Sequence, residues 1–246
     1  VALISSGTCR NSGTITVSAK TLALGVGINS FQSASFENSG VIVARGGDDV
    51  NTCGVYWRIQ ATPGSFPPHN SFTNTGRIEG PYALRVVDEF PGNHLTDLFT
   101  NSGALIGKVD LGGGASRLAN SGLIQGEVAL GGGADTYSGA DGLTVGMVSG
   151  GDGDDSLQGS AGFDNFQGNI GGDTEAGGAG DDWVVGGKDG DVLFGDAGGD
   201  LVYGNLGADT CEGGDGNDIV RGGQDGTSSV VETATISFPA TRVTTP

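Results

Sequence analysis

Eight aspartates recur at every ninth position in the second half of the chain. Each is the sixth residue of a nine-residue unit that begins with Gly and usually has a large apolar residue at its eighth position. Carboxylates at a regular spacing in a Gly-rich background are suited to a hard cation, because Ca²⁺ takes carboxylate and backbone carbonyl oxygens as ligands. The candidate ligands are Asp155, Asp164, Asp173, Asp182, Asp191, Asp200, Asp209 and Asp218.

The glycines of the unit have their own part in this prediction. They let the loop backbone turn its carbonyl groups toward an ion, which side chains at those positions would hinder. Asp135 follows a similar glycine run and is a further candidate ligand. The candidate carbonyl ligands lie around the first-position glycines, namely Gly150, Gly159, Gly168, Gly177, Gly186, Gly195, Gly204 and Gly213.

The unit G-G-x-G-x-D-x-U-x, where U is a large apolar residue, resembles the calcium-binding nonapeptide of RTX (hemolysin-type) proteins. The resemblance covers Gly150 to Gly226 in unbroken register. It implies a β-roll whose coil contains two nonapeptides, so the aspartates stack in two columns, one starting at Asp155 and the other at Asp164. In this family each ion lies between consecutive loops of one column, which implies about six Ca²⁺ ions. A lone Asp of this kind would more simply be a solvated turn residue.

Nearly all of the net charge of −18 lies in one segment. Residues 131–225 contain 19 acidic residues and only two basic ones, Lys188 and Arg221. Self-repulsion and backbone entropy oppose the collapse of this segment, so it either stays disordered or is neutralised by a cation. The same charge argues against a nucleic-acid partner, since phosphates are bound by Lys and Arg. No apolar run approaches the ~20 residues of a membrane span, so no transmembrane segment is predicted.

A looser repeat organises residues 1–130. Its core is N-S/T-G-x-I/L, and Asn and Gly both tolerate left-handed backbone, so the motif suits a turn followed by an inward-facing Ile or Leu. The spacings fit three-stranded coils, and the pattern resembles the passenger β-helices of bacterial autotransporters and related adhesins. The repeated asparagines are Asn11, Asn38, Asn74, Asn101 and Asn120.

These patterns predict an all-β chain, a right-handed parallel β-helix continuing into an RTX calcium β-roll. The predicted division is 1–130 for the β-helix, 131–226 for the β-roll and 227–246 for a carboxy-terminal strand or tail. We expect one core to run through the join at residues 131–149 without a linker. The alternation of apolar residues after Val230 predicts a strand that either caps the solenoid or pairs with another chain.

Several residues do not fit the repeats. Residues 46–73 contain three prolines and predict a long excursion from one coil. Glu175 takes an apolar position, so we expect its repeat to be distorted or its side chain to turn outward. Cys9 and Cys53 either form a disulfide or remain thiols, and Cys211 is expected to be a buried thiol. The polar and aromatic residues near the excursion either form a site, for sugar or as an acid pair, or pack locally: Asp48, Asp49, Tyr56, Trp57, Arg58 and His69.

Two functions fit these features. The first is a secreted or cell-surface structural β-solenoid that folds on calcium binding outside the bacterial cell, as part of a filament, surface layer, matrix or adhesin. Its possible partners are further copies, joined head to tail through the solenoid ends or the 228–246 strand, and surface glycans. The second is a polysaccharide-active enzyme of the uronan epimerase or lyase type, which also joins a β-helix to RTX repeats. Because no catalytic cluster is evident, we predict that the chain is not an enzyme.

Overall fold

The computed structural model describes residues 7–19, 23–30, 33–46, 52–60, 69–88, 96–139, 141–223 and 229–231. In these ranges 26 strands form two long parallel sheets, so the predicted all-β parallel solenoid is confirmed. Within the same ranges no helix is long and apolar enough to cross a membrane.

Sheet one contains the strands β1 (Gly7–Asn11), β4 (Ala34–Asn38), β7 (Ser71–Asn74), β9 (Asp97–Asn101), β11 (Ser116–Asn120), β14 (Thr136–Ser138), β17 (Ser156–Gln158), β19 (Thr174–Ala179), β21 (Val192–Gly198), β23 (Thr210–Glu212), β24 (Asp215–Gly216) and β26 (Ser229–Val231). Sheet two contains β2 (Thr14–Ser18), β3 (Leu24–Ser30), β5 (Val41–Arg45), β6 (Cys53–Ile59), β8 (Arg77–Asp88), β10 (Ala104–Asp110), β12 (Leu123–Gln125), β13 (Val128–Gly132), β15 (Leu143–Val145), β16 (Val148–Asp152), β18 (Asn165–Ile170), β20 (Trp183–Lys188), β22 (Leu201–Leu206) and β25 (Ile219–Gly223). Each chain turn thus adds strands to both sheets.

The coil loses one strand segment part-way along the chain. In the first half, sheet two has two segments in each coil, because β5 pairs with the beginning of β8 and β6 pairs with its end. The segment next to the N-S/T-G turn continues through β12 to β15, which pairs with no later strand in the described part of the chain. From β17 onward each coil has an eighteen-residue repeat and one strand per sheet, except that two short strands, β23 and β24, both pair with β21. The predicted three-stranded coils therefore give way to the two-stranded coils of a β-roll.

The apolar residues after the N-S/T-G motifs point into the core, as predicted. Ile42, Ile78, Leu105 and Ile124 are fully buried and pair in consecutive strands, and Ile15 packs against the same core. Strand alternation explains this, since the polar neighbours of each residue point to the other face.

The asparagines of the motif have a different role from the predicted one. Their side chains form a ladder along the solenoid, in which each Nδ2 donates to the Oδ1 of the asparagine one coil further on. The distances are 2.8, 2.7, 2.8 and 2.8 Å between Asn11, Asn38, Asn74, Asn101 and Asn120. At its last step Asn120 donates to Thr144 Oγ1 at 3.2 Å. The ladder therefore satisfies amides that would otherwise be buried without partners.

The glycines of the motif are needed for close stacking, not for left-handed backbone. Gly40, Gly76, Gly103 and Gly122 do not have positive φ angles. A Cβ at Gly40 would instead overlap the carbonyl oxygen of Gly13 in the preceding coil, and the other three glycines repeat this arrangement.

The predicted excursion over residues 46–73 is wrong for residues 53–59, which form β6. Val55, Trp57 and Ile59 are buried in the core, and the Trp57 indole N–H donates to Ser30 Oγ at 3.0 Å. The period-two alternation of this strand was masked in the sequence by the flanking acidic and proline residues. Asp48, Asp49 and the three prolines lie outside the described residues, as does most of the predicted carboxy-terminal strand, of which the described part is β26.

One hydrophobic core crosses the join at residues 131–149, as expected. It extends from Val26 through Leu130 and Tyr137 to Phe166. A second, smaller apolar cluster begins at Val184 and ends at Cys211. The division at residue 130 stays a prediction, since both sheets run through it. No disulfide joins Cys9 and Cys53, which lie on strands of different sheets.

Candidate metal centre

The predicted metal ligands form two hydrogen-bonded ladders, one at each turn of the β-roll. In each ladder the backbone N–H of one aspartate donates to the Oδ1 of the aspartate eighteen residues later. The first ladder contains Asp155, Asp173, Asp191 and Asp209, with distances of 2.9, 2.9 and 3.0 Å. The second contains Asp164, Asp182, Asp200 and Asp218, with distances of 2.7, 2.8 and 3.0 Å. The two columns that the spacing predicts are thus present.

The second carboxylate oxygen of nearly every ladder residue is buried without a hydrogen-bond partner. This holds for the Oδ2 atoms of Asp135, Asp155, Asp173, Asp182, Asp191, Asp200, Asp209 and Asp218. A buried carboxylate oxygen without a partner is costly, and such sets of oxygens are typical of cation sites. Each of these residues therefore has one oxygen that organises the loop and one that remains able to bind a cation.

The first-position glycines frame these oxygens. A Cβ at Gly168 would overlap Asp173 Oδ2 and would lie 2.8 Å from the Gly186 carbonyl oxygen of the next coil. Gly177 has the same relation to Asp182 Oδ2 and the Gly195 carbonyl. A carboxylate oxygen and a carbonyl oxygen thus meet at a place that any larger residue would fill. This explains why Gly occupies the first position in all eight repeats.

Asp164 is an exception. Its Oδ2 accepts hydrogen bonds from both the backbone N–H and the hydroxyl of Ser160, at 2.7 and 2.8 Å. Ser160 stands at the second position of its repeat, where a hydroxyl is within reach of the carboxylate. The free oxygen of this loop is therefore already occupied, a difference that the position-by-position consensus did not reveal.

The first ladder continues toward the amino terminus beyond the repeat. The backbone N–H of Asp135 donates to Asp155 Oδ1 at 2.8 Å, and the N–H of Ser116 donates to Asp135 Oδ1 at 2.6 Å. Asp135 thus occupies the place that the sequence predicts for it. The position equivalent to the first glycine is taken by Leu130, which is buried. The Asp135 loop therefore has the free oxygen but not the open glycine corner.

Burial changes the acidity of the ladder residues. It raises the pKa of Asp135 to about 8 and the pKa values of Asp155 and Asp191 to about 7. It also raises the pKa values of Asp173 and Asp182 to about 6. Desolvation of the charged form is the main cause, and neighbouring aspartates add to it. The ladders consequently need either protons or a cation when they are folded.

Glu175 contradicts both predicted alternatives, because its repeat is regular and its side chain points inward. It pairs with Leu157 and Leu193 in the stack of sheet one and is fully buried. Neither carboxylate oxygen has a hydrogen-bond partner of good geometry. Burial and the nearby Asp173 and Asp191 raise the pKa of Glu175 well above its usual value. Strand register fixes this orientation, since turning Glu175 outward would turn its neighbours Thr174 and Ala176 inward.

The donor set fits calcium. Among the described residues no three His, Cys, Asp or Glu side chains converge on one point. A cation between two loops would therefore need backbone carbonyls in addition to the aspartate oxygens, and the first-position glycines place such carbonyls beside them. An all-oxygen set with many carbonyls suits Ca²⁺ and does not suit Zn²⁺ or Cu²⁺.

The family model of the RTX calcium-binding nonapeptide repeat, which spans four copies of the repeat, matches three overlapping segments: residues 149–184, 176–211 and 198–226. Residues 149–226 are RTX calcium-binding repeats. RTX nonapeptide repeats bind Ca²⁺, and RTX proteins are typically secreted by bacteria. The RTX match ends short of the first half, so the resemblance of residues 1–130 to autotransporter passengers stays a prediction. Neither a curated protein nor a solved structure matches the chain.

The other candidate residues of the sequence lie at separate places in the described part of the chain, except for Tyr56 and Arg58, which share one side of β6. Trp57 is enclosed in the core and has no face available to a sugar. Tyr56 and Arg58 point to the outer side of β6, and His69 is exposed before β7. The RTX repeat is a structural calcium-binding unit, in line with the prediction of a non-enzymatic role.

Proposed function

We propose that this protein is a secreted or cell-surface structural β-solenoid whose second half folds when calcium binds outside the bacterial cell. The observation that carries the proposal is the double ladder of buried aspartates with partnerless oxygens. Without a cation at neutral pH these carboxylates repel one another and lose their hydration, so the folded repeat is disfavoured.

Calcium concentration then acts as the folding signal. Extracellular calcium modules bind at about 10⁻⁴ to 10⁻³ M, so scarce calcium inside the cell leaves the repeats unfolded and the higher calcium outside folds them. A ligand that binds only the folded state stabilises it by mass action, and several ions acting together make the response steep. The described core of the first half contains no ladder of free carboxylates, so that part needs no such signal.

We propose six ions in an unequal arrangement. Each ion would lie between consecutive loops whose aspartates have a free Oδ2. The first ladder then has four intervals from Asp135 to Asp209, of which the one at Asp135 is the weakest because Leu130 replaces the glycine. The second ladder has two intervals from Asp182 to Asp218, because Ser160 occupies the Asp164 oxygen.

The ladder proposal is tested with a pair of aspartate variants. Asp191→Asn removes a charge shared by two intervals, so bound calcium should fall by up to two ions per chain and the calcium midpoint of folding should rise. Asp196→Asn removes an exposed aspartate of the following repeat, on the same strand β21, and should change neither value. Circular dichroism during calcium titration, with bound metal counted after gel filtration, measures both. Equal effects of the two variants, or a spectrum of the wild-type repeats that chelator leaves unchanged, would refute the folding switch.

Assembly is the second part of the proposal. Among the described residues β1, β2 and β3 each pair with a strand on one side only. Such an edge favours addition of a strand from another copy. Electron microscopy in millimolar calcium should show filaments, and deletion of residues 228–246 should shorten or abolish them. Dispersed particles under all conditions would exclude the head-to-tail arrangement.

A further inference from the structure

A groove of about 1130 Å³ runs along the outer face of sheet two in the β-roll. Its floor is formed by the second residue of every other repeat, where glycines alternate with asparagines: Gly151, Asn169, Gly187, Asn205 and Gly223. These five residues lie on neighbouring strands and span about 19 Å, since such strands are about 4.8 Å apart. One wall contains Gln167, Tyr203 and Arg221, and the other contains Asp152, Ile170, Lys188 and Leu206.

The groove collects the only two basic side chains of residues 131–225. Lys188 and Arg221 both line it, although the segment contains 19 acidic residues. Neither forms a salt bridge within the described residues, whereas exposed bases of the first half, such as Arg10 and Lys108, do. The groove thus has two cations against one carboxylate, Asp152, on an otherwise strongly acidic surface, and this local excess of positive charge indicates an anionic ligand.

Contacts within the groove hold its lining side chains in place. The guanidinium of Arg221 lies over the Tyr203 ring, 5.4 Å from its centroid, which holds the cation at the wall. Asn169 donates to Ser149 Oγ at 2.8 Å, which fixes the floor. Asn169 and Asn205 have φ angles of 87° and 76°, so both are held in the left-handed region by the coil. The polar side chains that face a ligand are thus amides, a phenol, two cations and the carboxylate of Asp152 at one end, in fixed register.

A peptide would not use this lining well. The backbone groups of the floor already bond to the neighbouring strands of sheet two, so strand addition is not available here. The exposed apolar side chains of the walls, Ile170 and Leu206, are too few for an amphipathic helix. Amide and phenol groups instead suit a ligand with many hydroxyls. The two charges lie two coils apart, about 10 Å along the axis.

We propose that this groove binds a linear acidic polysaccharide, through charge pairing of its carboxylate or sulfate groups with Lys188 and Arg221. The proposal rests on the calcium-folded repeat described above. Folding is followed separately by circular dichroism, so a folded protein that does not bind refutes this proposal and leaves the calcium switch intact.

The test uses the full chain in millimolar calcium and polymers with one common backbone. Carboxymethyl dextran, dextran sulfate and neutral dextran are compared by microscale thermophoresis, with poly-L-glutamate as the acidic peptide. We expect binding to one or both charged dextrans, with weakening at high salt, and no binding to dextran. The preferred charged polymer identifies the anion. Binding to poly-L-glutamate alone, or to none of the polymers, would overturn the proposal.

A charge-matched pair of variants locates the site. Lys188→Gln with Arg221→Gln should weaken binding at least tenfold, because two charge-assisted contacts are lost. Lys108→Gln with Arg117→Gln makes the same change in net charge on the first half and should leave the affinity within about twofold, since surface charges contribute little at a distance. Equal weakening by both pairs would show that only overall charge matters and would also overturn the proposal.

Discussion

Glu175→Leu should make the β-roll easier to fold. Among the described residues, Glu175 is the one fully buried carboxylate within the apolar stack. It lies between Leu157 and Leu193 and belongs to neither aspartate ladder. The apolar core is divided near the same place, with one cluster ending at Phe166 and the next beginning at Val184. Leucine has a similar volume and would connect the two clusters without overpacking.

The expected gain follows from the burial of this carboxyl group. Removing a buried polar group without hydrogen bonds is worth about 1–3 kcal/mol, and the added apolar surface contributes about 0.8 kcal/mol per methylene. A total of about 3 kcal/mol, spread over roughly six ions that bind with folding, is about 0.5 kcal/mol per ion. Since 1.4 kcal/mol corresponds to a tenfold change, the calcium midpoint should fall about twofold.

Calcium titration followed by circular dichroism measures this midpoint. The control is Glu212→Leu, which makes the same change of charge and side chain at an outward position on β23 and should give a much smaller shift. A midpoint unchanged by Glu175→Leu would show that the carboxyl group is not costly. A higher midpoint would show that Glu175 makes a favourable contact in the calcium form, and either result would refute the reasoning.

Three further predictions follow from the ladders. Ser160→Gly should release a carboxylate oxygen in the second ladder and raise bound calcium from six to seven ions per chain; an unchanged metal count would contradict this. Asn74→Ala should leave its two neighbours in the asparagine ladder unsatisfied and destabilise the first half by about 1–3 kcal/mol, measured by thermal melting in chelator, whereas Thr73→Ala should have a small effect. In chelator, β-structure of the repeats should increase as pH falls from 8 to 5. Burial raises the pKa of Asp135 to about 8 and that of Asp155 to about 7, so the folded state takes up protons and loses stability as pH rises through these values; a spectrum independent of pH would contradict the assignment.

The β-roll was predictable because its sequence repeats at the period of its structure. Gly, Asp and the apolar residue recur every nine positions, so the two aspartate columns and the inward stack from Leu157 to Cys211 follow from counting. The inward-facing residues after each N-S/T-G motif were predictable for the same reason. In both cases local pattern and coil geometry agree.

The rest depends on contacts between coils, which a local pattern does not contain. The asparagine ladder is made by residues 19 to 36 positions apart, so the sequence indicated a turn but not the amide that joins the turns. Trp57 looked like a ligand-binding aromatic because its neighbours are irregular, yet pairing with Ile28 and Val86 places it in the core. Ser160 differs from glycine by one hydroxymethyl group, and only its position beside Asp164 shows that it occupies the carboxylate oxygen.

Sheet two loses its second strand segment after β15, and this has a consequence for how the chain folds. The apolar core of the first half continues past β15 as far as Phe166. The last coil of the first half can therefore act as a template for the first RTX coil. In quasi-one-dimensional proteins, starting a new structure costs more than adding a unit to an existing one. If the repeats fold on calcium binding as proposed, we expect the covalently attached first half to supply the nucleus, which calcium then extends. Growth of the β-roll should run from the amino-terminal side, one coil at a time, at a lower calcium concentration than an isolated repeat would require.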